Sequence, residues 1–177
     1  MATQILPQHH AKIAGFVDFL PATQVIPAGK AKDVYEQNKH RVYSLAFWMT
    51  DNELEAEELS AMVFCRAFAA STEPSVETID RALVSELRTG QPIGILTLHC
   101  DEVKEVLQVR TNTKRVHLER AVVQLPATER LIFLLHDVEQ RDHASIARLL
   151  GLNETESRHG LHQARLRMRE LLAAMQS

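Results

Sequence analysis

The sequence predicts an all-α protein of two small helical domains joined by a linker, with a helix-turn-helix in the C-terminal domain. Apolar residues recur at helical spacing in two separate blocks, a glycine and a capping residue mark a tight turn near the C-terminus, and 177 residues suffice for two domains of modest core size. We expect a poorly ordered N-terminal extension over 1–31, a first domain over 32–89, a linker over 90–113 and a second domain over 114–177.

The first domain is predicted to begin with two helices separated by a short polar loop. Val42, Leu45 and Met49 fall on one face of the first helix, and Trp48 beside them is most simply a core or half-buried residue. Asp51 or Asn52 can cap the second helix. The acidic residues near the start of that helix indicate a solvated face, and the same face also suits a basic partner.

The linker contains an extended apolar stretch, Pro92 to Leu98, where a flexible tether would be polar. Apolar surface of this kind is expected to pack against the rest of the chain. We therefore expect the stretch to form part of a contact between the two domains through Ile93, Ile95, Leu96 and Leu98.

The C-terminal domain carries the signals of a helix-turn-helix. Apolar residues crowd one side of a short helix that ends at Leu150, and Gly151 follows where a helix end favours positive φ. Asn153 and Glu156 then stand in the capping-box spacing, so a second helix should begin at about Glu154. A tight turn between two short helices lets the second helix enter a DNA major groove.

The second helix of this motif has a basic outer side. Arg158, His159 and His162 lie near its N-terminal end, which enters the groove in such motifs, and Arg165, Arg167 and Arg169 follow. Basic side chains there suit phosphate contacts and the negative end of the helix dipole. Taken alone, such arginines are more simply solvated surface, but the preceding turn favours DNA binding.

This C-terminal segment resembles region 4 of bacterial sigma factors of the extracytoplasmic-function group. The family's Leu-Pro opening, Ile-Ala pair and Ala-Arg dipeptide have counterparts at Leu125 and Pro126, Ile146 and Ala147, and Ala164 and Arg165. In that family the module reads the minus-thirty-five promoter element, with groove-facing positions that match Arg158, Gly160, His162 and Gln163. The resemblance implies double-stranded promoter DNA as a partner, contacted through Arg158, His159, His162, Gln163, Arg165, Arg167 and Arg169.

The segment from Val34 to Ala69 is similar to region 2 of the same group, whose Ala-Glu-Glu-Leu helix has a counterpart at Ala56–Leu59. In the family this helix docks on the largest subunit of RNA polymerase. The resemblance therefore implies core RNA polymerase as a partner, and it admits an anti-sigma factor as another. The polymerase-binding residues that it implies are Glu53, Glu57, Glu58 and Leu59.

The chain departs from the family after Phe68. Residues 71–100 contain no Phe, Tyr or Trp, although the family uses aromatic and basic side chains there to open promoter DNA. Between Lys32 and Arg88 there are six lysines and arginines against eleven acidic residues, a balance that repels phosphate. Of the functions that the resemblance implies, the opening of promoter DNA strands is the one that these residues support least.

Composition excludes several other classes of protein. Two cysteines, Cys65 and Cys100, do not make a disulfide framework and fit a reducing cytoplasm. We expect no membrane insertion and no signal peptide, since no apolar run is long enough. No phosphate-binding loop or catalytic signature is present, so neither an enzyme nor a cofactor is expected. His159 and His162 lack the second ligand pair of a structural zinc site.

These observations predict a sigma-type transcription initiation factor that binds core RNA polymerase and directs it to promoters. One alternative is a sigma-like regulatory or interaction protein that keeps the folds but does not open promoters. Another is a plain DNA-binding regulator with an unrelated N-terminal domain.

Overall fold

The structure is a computed structural model in which residues 28–99 and 114–176 are described. Over these ranges the chain forms seven α-helices and no strand, and the all-α prediction is confirmed. The predicted N-terminal extension falls mostly outside the described residues, as do residues 100–113 of the linker. The helices are α1 (Ala28–Thr50), α2 (Glu53–Ala70), α3 (Val76–Gly90), α4 (Arg115–Val123), α5 (Ala127–Phe133), α6 (His143–Leu150) and α7 (Glu154–Gln176).

Helices α1, α2 and α3 pack into a small bundle, which we call the first half. Phe64 of α2 is buried at its centre and meets the ring of Tyr35 edge-on, with 4.8 Å between ring centroids. The predicted cap of α2 is Asn52, whose Oδ1 accepts the backbone N–H of Leu54 at 2.9 Å and of Glu55 at 3.2 Å. Trp48 is half-buried against the core, as expected.

Helices α4 to α7 form the second half, in which α7 packs against α4, α5 and α6. One turn of π-helix, Leu134–Val138, continues α5 and leads into the loop before α6. Apart from Glu129, the largest fully buried side chains of this half are aliphatic, which gives the short helices a continuous apolar centre: Leu125, Leu131, Ile132, Leu134, Leu135, Ile146 and Leu150.

The helix-turn-helix is confirmed as α6, a tight turn and α7. Helix α6 ends at Leu150 and is capped by Gly151, which has a φ of 72° and a ψ of 30°. In the turn that follows, Asn153 and Glu156 form the predicted capping box: Asn153 Oδ1 accepts the Glu156 N–H at 2.8 Å, and Glu156 Oε2 accepts the Asn153 N–H at 2.7 Å. Local chemistry alone therefore fixes where this turn lies.

A buried carboxylate joins the two halves. Asp80 of α3 is 1% exposed and forms ion pairs with Arg41 of α1 at 2.6 Å and with Arg141, before α6, at 2.5 Å. Glu139, after the π-turn, pairs with the same two arginines at 3.1 and 3.2 Å. We call these four residues the Asp80 cluster.

Arginines from each half also bind carbonyls at helix ends in the other half. Arg130 of α5 donates to the carbonyl oxygens of Trp48 and Met49, both at 3.2 Å, near the end of α1. Arg88 of α3 donates to the carbonyl oxygen of Leu150 at 2.7 Å, at the end of α6. The last carbonyl groups of a helix have no hydrogen-bond partner within their own helix. The contact between the halves removes these carbonyls from water, and the arginines supply the hydrogen bonds that water would otherwise make.

The linker residues that are described, 91–99, run along the second half. Ile93 is buried, and Leu96 and Leu98 are partly buried against the core. Ile95 was expected in this contact, but 60% of its surface is exposed because its side chain points to the opposite side of the extended segment. No helix within 28–99 or 114–176 is long and apolar enough to cross a membrane.

We predict that Gly151→Ala lowers the free energy of unfolding by about 1–2 kcal/mol, the cost of a Cβ in the left-handed region. Only an Arg88 nitrogen, at 3.6 Å, would approach that Cβ, so the loss reports the backbone conformation and not a clash. Gly90→Ala is the control, since a Cβ there meets nothing within 4 Å and φ is not positive. Urea unfolding followed by circular dichroism measures the free energy of unfolding of both variants, and equal values for the two would contradict the prediction.

Candidate nucleic-acid interface

The outer side of α7 is a solvent-exposed basic face. Leu161, Ala164 and Met168 face the core, and the positions on the opposite side of the helix face solvent. We call the outward set the α7 face; all of its members are exposed: Arg158, His159, His162, Arg165 and Arg169. Five of the seven side chains predicted to contact DNA therefore lie on one accessible surface.

Two arginines of the α7 face are held by carboxylates. Arg158 pairs with Glu154 one turn earlier, and Arg165 contacts both oxygens of Asp137 in the π-turn, at 2.6 and 3.0 Å. Burial alone would raise the pKa of Asp137, but hydrogen bonds from Arg165 and His136 lower it below its usual range. Both guanidinium groups are therefore oriented at the surface while their charge is balanced.

The other two predicted contacts lie off this face. Gln163 is 6% exposed, so its side chain is not available to DNA in this conformation. Arg167 is partly buried and pairs with Glu170 at 2.9 Å. Gly160 is buried on the same flank of the helix, where a Cβ would come within 2.8 Å of Leu96 Cδ2 and 2.7 Å of Ile132 Cδ1.

Two histidines support the base of α7 and were not predicted from the sequence. His143 of α6 lies 3.0 Å from the hydroxyl of Ser157, which is fully buried, and its ring stacks on His136 with 4.5 Å between centroids. His136 in turn contacts Asp137 at 2.8 Å. These contacts join α6, the π-turn and α7, and residue spacing along one helix gives no sign of them.

The acidic side of α2 is a second exposed surface. Glu53, Glu57 and Glu58 are exposed as predicted, but Leu59 is 5% exposed and packs inside the first half, so its side chain offers no surface contact. The large apolar residues that α2 exposes are Leu54 at 64% and Met62 at 47%. Their spacing places them on one side of the helix with Glu58 between them.

A shallow depression continues this surface toward α3. It is lined by Ala61, Met62, Cys65, Arg66, Ala69 and Glu86. Cys65 is exposed, and partial desolvation of its thiol together with the charge of nearby Glu86 raises its pKa, which leaves the thiol form favoured. Across residues 28–99 and 114–176 no three His, Cys, Asp or Glu side chains come together in a group that could hold a metal ion.

We predict that His143 titrates below its ordinary pKa, because burial, His136 and Arg158 all disfavour its charged form. As the pH falls, His143 of the unfolded chain therefore takes up its proton before His143 of the folded chain. The free energy of unfolding that depends on neutral His143 is complete above the ordinary histidine pKa. It is lost as the pH falls from that pKa through the lower pKa of the folded chain. His136→Gln should raise the pKa of His143 in an NMR titration, and His40→Gln on α1 should not. A parent pKa at or above the ordinary value would contradict the assignment.

Comparison with known families agrees with this geometry. Residues 115–168, from α4 to most of α7, match the family model described as "Sigma-70, region 4". No curated protein matches the chain. The matched residues contain the capping box, the turn at Gly151 and four of the five members of the α7 face. The C-terminal part of the chain is therefore a sigma-70 region 4 domain of the helix-turn-helix type.

Proposed function

We propose that this protein is a sigma factor of the extracytoplasmic-function type, which binds core RNA polymerase through its first half and directs it to promoters through α7. The observation that carries the proposal is the region 4 match, which coincides with a complete helix-turn-helix and an exposed basic face. The net charge of the chain is −3, so affinity for DNA must come from this local cluster. The proposed activity belongs in the cytoplasm, where polymerase and promoters meet.

The surface of α2 supports polymerase docking. It combines three exposed glutamates with two exposed apolar side chains, Leu54 and Met62, on a helix whose inner side is fixed in the bundle. Apolar groups at the centre of a contact contribute most of the binding energy, and surrounding charges select a partner of opposite sign. A basic helical surface of the polymerase is the partner that this arrangement fits.

A sigma-like regulator that does not open promoters is the second candidate. The first half carries an acidic excess, and α3 and the segment after it contain no aromatic residue. Residues 71–100 therefore offer no aromatic side chain on which the bases of single-stranded DNA could stack. Both candidates share polymerase binding, which a plain helix-turn-helix regulator lacks, so transcription and polymerase binding must be measured separately.

We predict that Glu57→Lys with Glu58→Lys abolishes co-purification with core polymerase while helical circular dichroism is unchanged. The control is Asp33→Lys with Glu36→Lys, an equal charge change on exposed residues of α1. Transcription from a genomic library with purified core polymerase then tests promoter use. Retained co-purification of the α2 variant would reject the docking surface, and binding without transcripts would favour the second candidate.

We predict that Arg158→Ala weakens binding to a preferred promoter duplex by roughly 1–3 kcal/mol and relaxes sequence preference, as loss of a base contact does. Arg165→Ala should weaken all duplexes alike and reduce the salt slope by about one phosphate contact. Asp137→Asn should instead strengthen binding to all duplexes, since it frees Arg165 for contact with phosphate. Arg66→Ala in the first half is the control. Unchanged affinity in both arginine variants would show that the α7 face is not the DNA surface.

A further inference from the structure

The carboxylate of Asp137 is shared between an arginine and a histidine at the corner where the π-turn meets α7. Arg165 donates to Oδ1 at 2.6 Å and to Oδ2 at 3.0 Å. The Nδ1 atom of His136 lies 2.8 Å from the same Oδ1. An ionised carboxylate only accepts hydrogen bonds, so Nδ1 of His136 carries the hydrogen in this contact. The side chain of Asp137 is 24% exposed, and a charge that is this far buried requires a partner.

Duplex DNA would compete for one of these two partners. The side chain of Arg165 is 50% exposed on the α7 face, where the proposed function assigns it to phosphate. When its guanidinium group turns to phosphate, Asp137 loses both bonds from Arg165 and keeps only the contact with His136. A neutral imidazole supplies a hydrogen bond without a charge. A protonated imidazole supplies both, and a charge-assisted hydrogen bond is roughly twice as strong as a neutral one.

The neighbouring ring of His143 directs the proton to His136. The two rings stack with 4.5 Å between centroids and 24° between planes, so positive charges on both would repel. The Nδ1 atom of His143 lies 3.0 Å from the neutral hydroxyl of buried Ser157. Burial, His136 and Arg158 lower the pKa of His143 and outweigh the opposite effect of Glu154. The pair therefore holds one proton, and the carboxylate beside His136 draws the proton to that ring.

We propose that binding of duplex DNA is coupled to the uptake of one proton by His136, which replaces Arg165 as the positively charged partner of Asp137. The proton comes from solvent and binds Nε2, since Nδ1 already carries its hydrogen. The proposal rests on the α7 face being the DNA surface of the proposed function. Coupling between two binding equilibria is reciprocal, so a lower pH strengthens DNA binding as much as DNA favours the protonated ring. Histidine changes its charge between pH 5 and 8, so the coupling acts near neutral pH.

The test measures proton uptake on DNA binding by isothermal titration calorimetry of the full chain in buffers of different ionisation enthalpy near pH 7. A mixed-sequence duplex at low salt is the probe, because a phosphate contact does not depend on sequence. His136→Gln removes the titrating ring and keeps an N–H donor for Asp137. The same change is also made in an Arg165→Ala background. His40→Gln is the matched control, since His40 is exposed on α1. Circular dichroism checks that each variant is folded.

If DNA favours the protonated ring about tenfold, His136→Gln should take up roughly half a proton less than the parent near pH 7. The same substitution in the Arg165→Ala background should make no difference, because the exchange of partners no longer takes place. His40→Gln should match the parent. Protonation of His162 on the α7 face by direct contact with phosphate would persist in the Arg165→Ala background, so the comparison of backgrounds separates it from the exchange.

Equal proton uptake by the parent and His136→Gln would overturn the exchange and leave the α7 face as the DNA surface. A difference between these two proteins that persists without Arg165 would overturn it as well. Absence of DNA binding by the parent in a fluorescence anisotropy assay would instead reject the α7 face as the DNA surface, and the exchange with it.

Discussion

The relative placement of the two halves depends on one buried carboxylate. A charge inside a protein is tolerated only with partners, since removal of a partner from a buried ion pair costs about 3–5 kcal/mol. Asp80 lies almost wholly inside, and its partners come from α1 and from the loop before α6. Both halves must therefore keep this orientation for Asp80 to remain paired and buried, and the cross-half bonds of Arg88 and Arg130 to terminal carbonyls fit the same arrangement.

The same constraint gives the contact between the halves its polar character. Charge-assisted hydrogen bonds are short and directional, and the bonds within one network strengthen one another. The contact between the halves contains ion pairs and carbonyl bonds beside its apolar residues, and the segment 94–98 is held by four backbone N–H groups that bond to two buried side chains of α5. An interface of this polarity resembles those that proteins open and close.

Under the proposed function, the α7 face combines DNA-contacting arginines with carboxylates that compete for them. Glu154 and Asp137 balance the two arginines nearest the turn and hold their guanidinium groups in place. In that proposed function, phosphate displaces these carboxylates, so non-specific attraction is reduced while the geometry for a correct site is retained. The stack of His136 on His143 stiffens the same corner, because it joins the π-turn to α6 beside the buried Ser157.

The sequence by itself determined the local features of this protein. The turn at Gly151, the caps at Asn52 and Asn153 and the basic side of α7 all depend on neighbours within a few residues, and helical periodicity reports such neighbours directly. Only the tertiary structure decided which side chains are buried and which are exposed. Gln163 and Leu59 were predicted at surfaces but are buried, Ile95 was predicted in the contact but is exposed, and Gly160 is matched to Leu96 from a distant segment. The physical reason is that burial and ion pairing depend on contacts between residues far apart in the chain. A local sequence pattern does not show which of these distant residues come into contact.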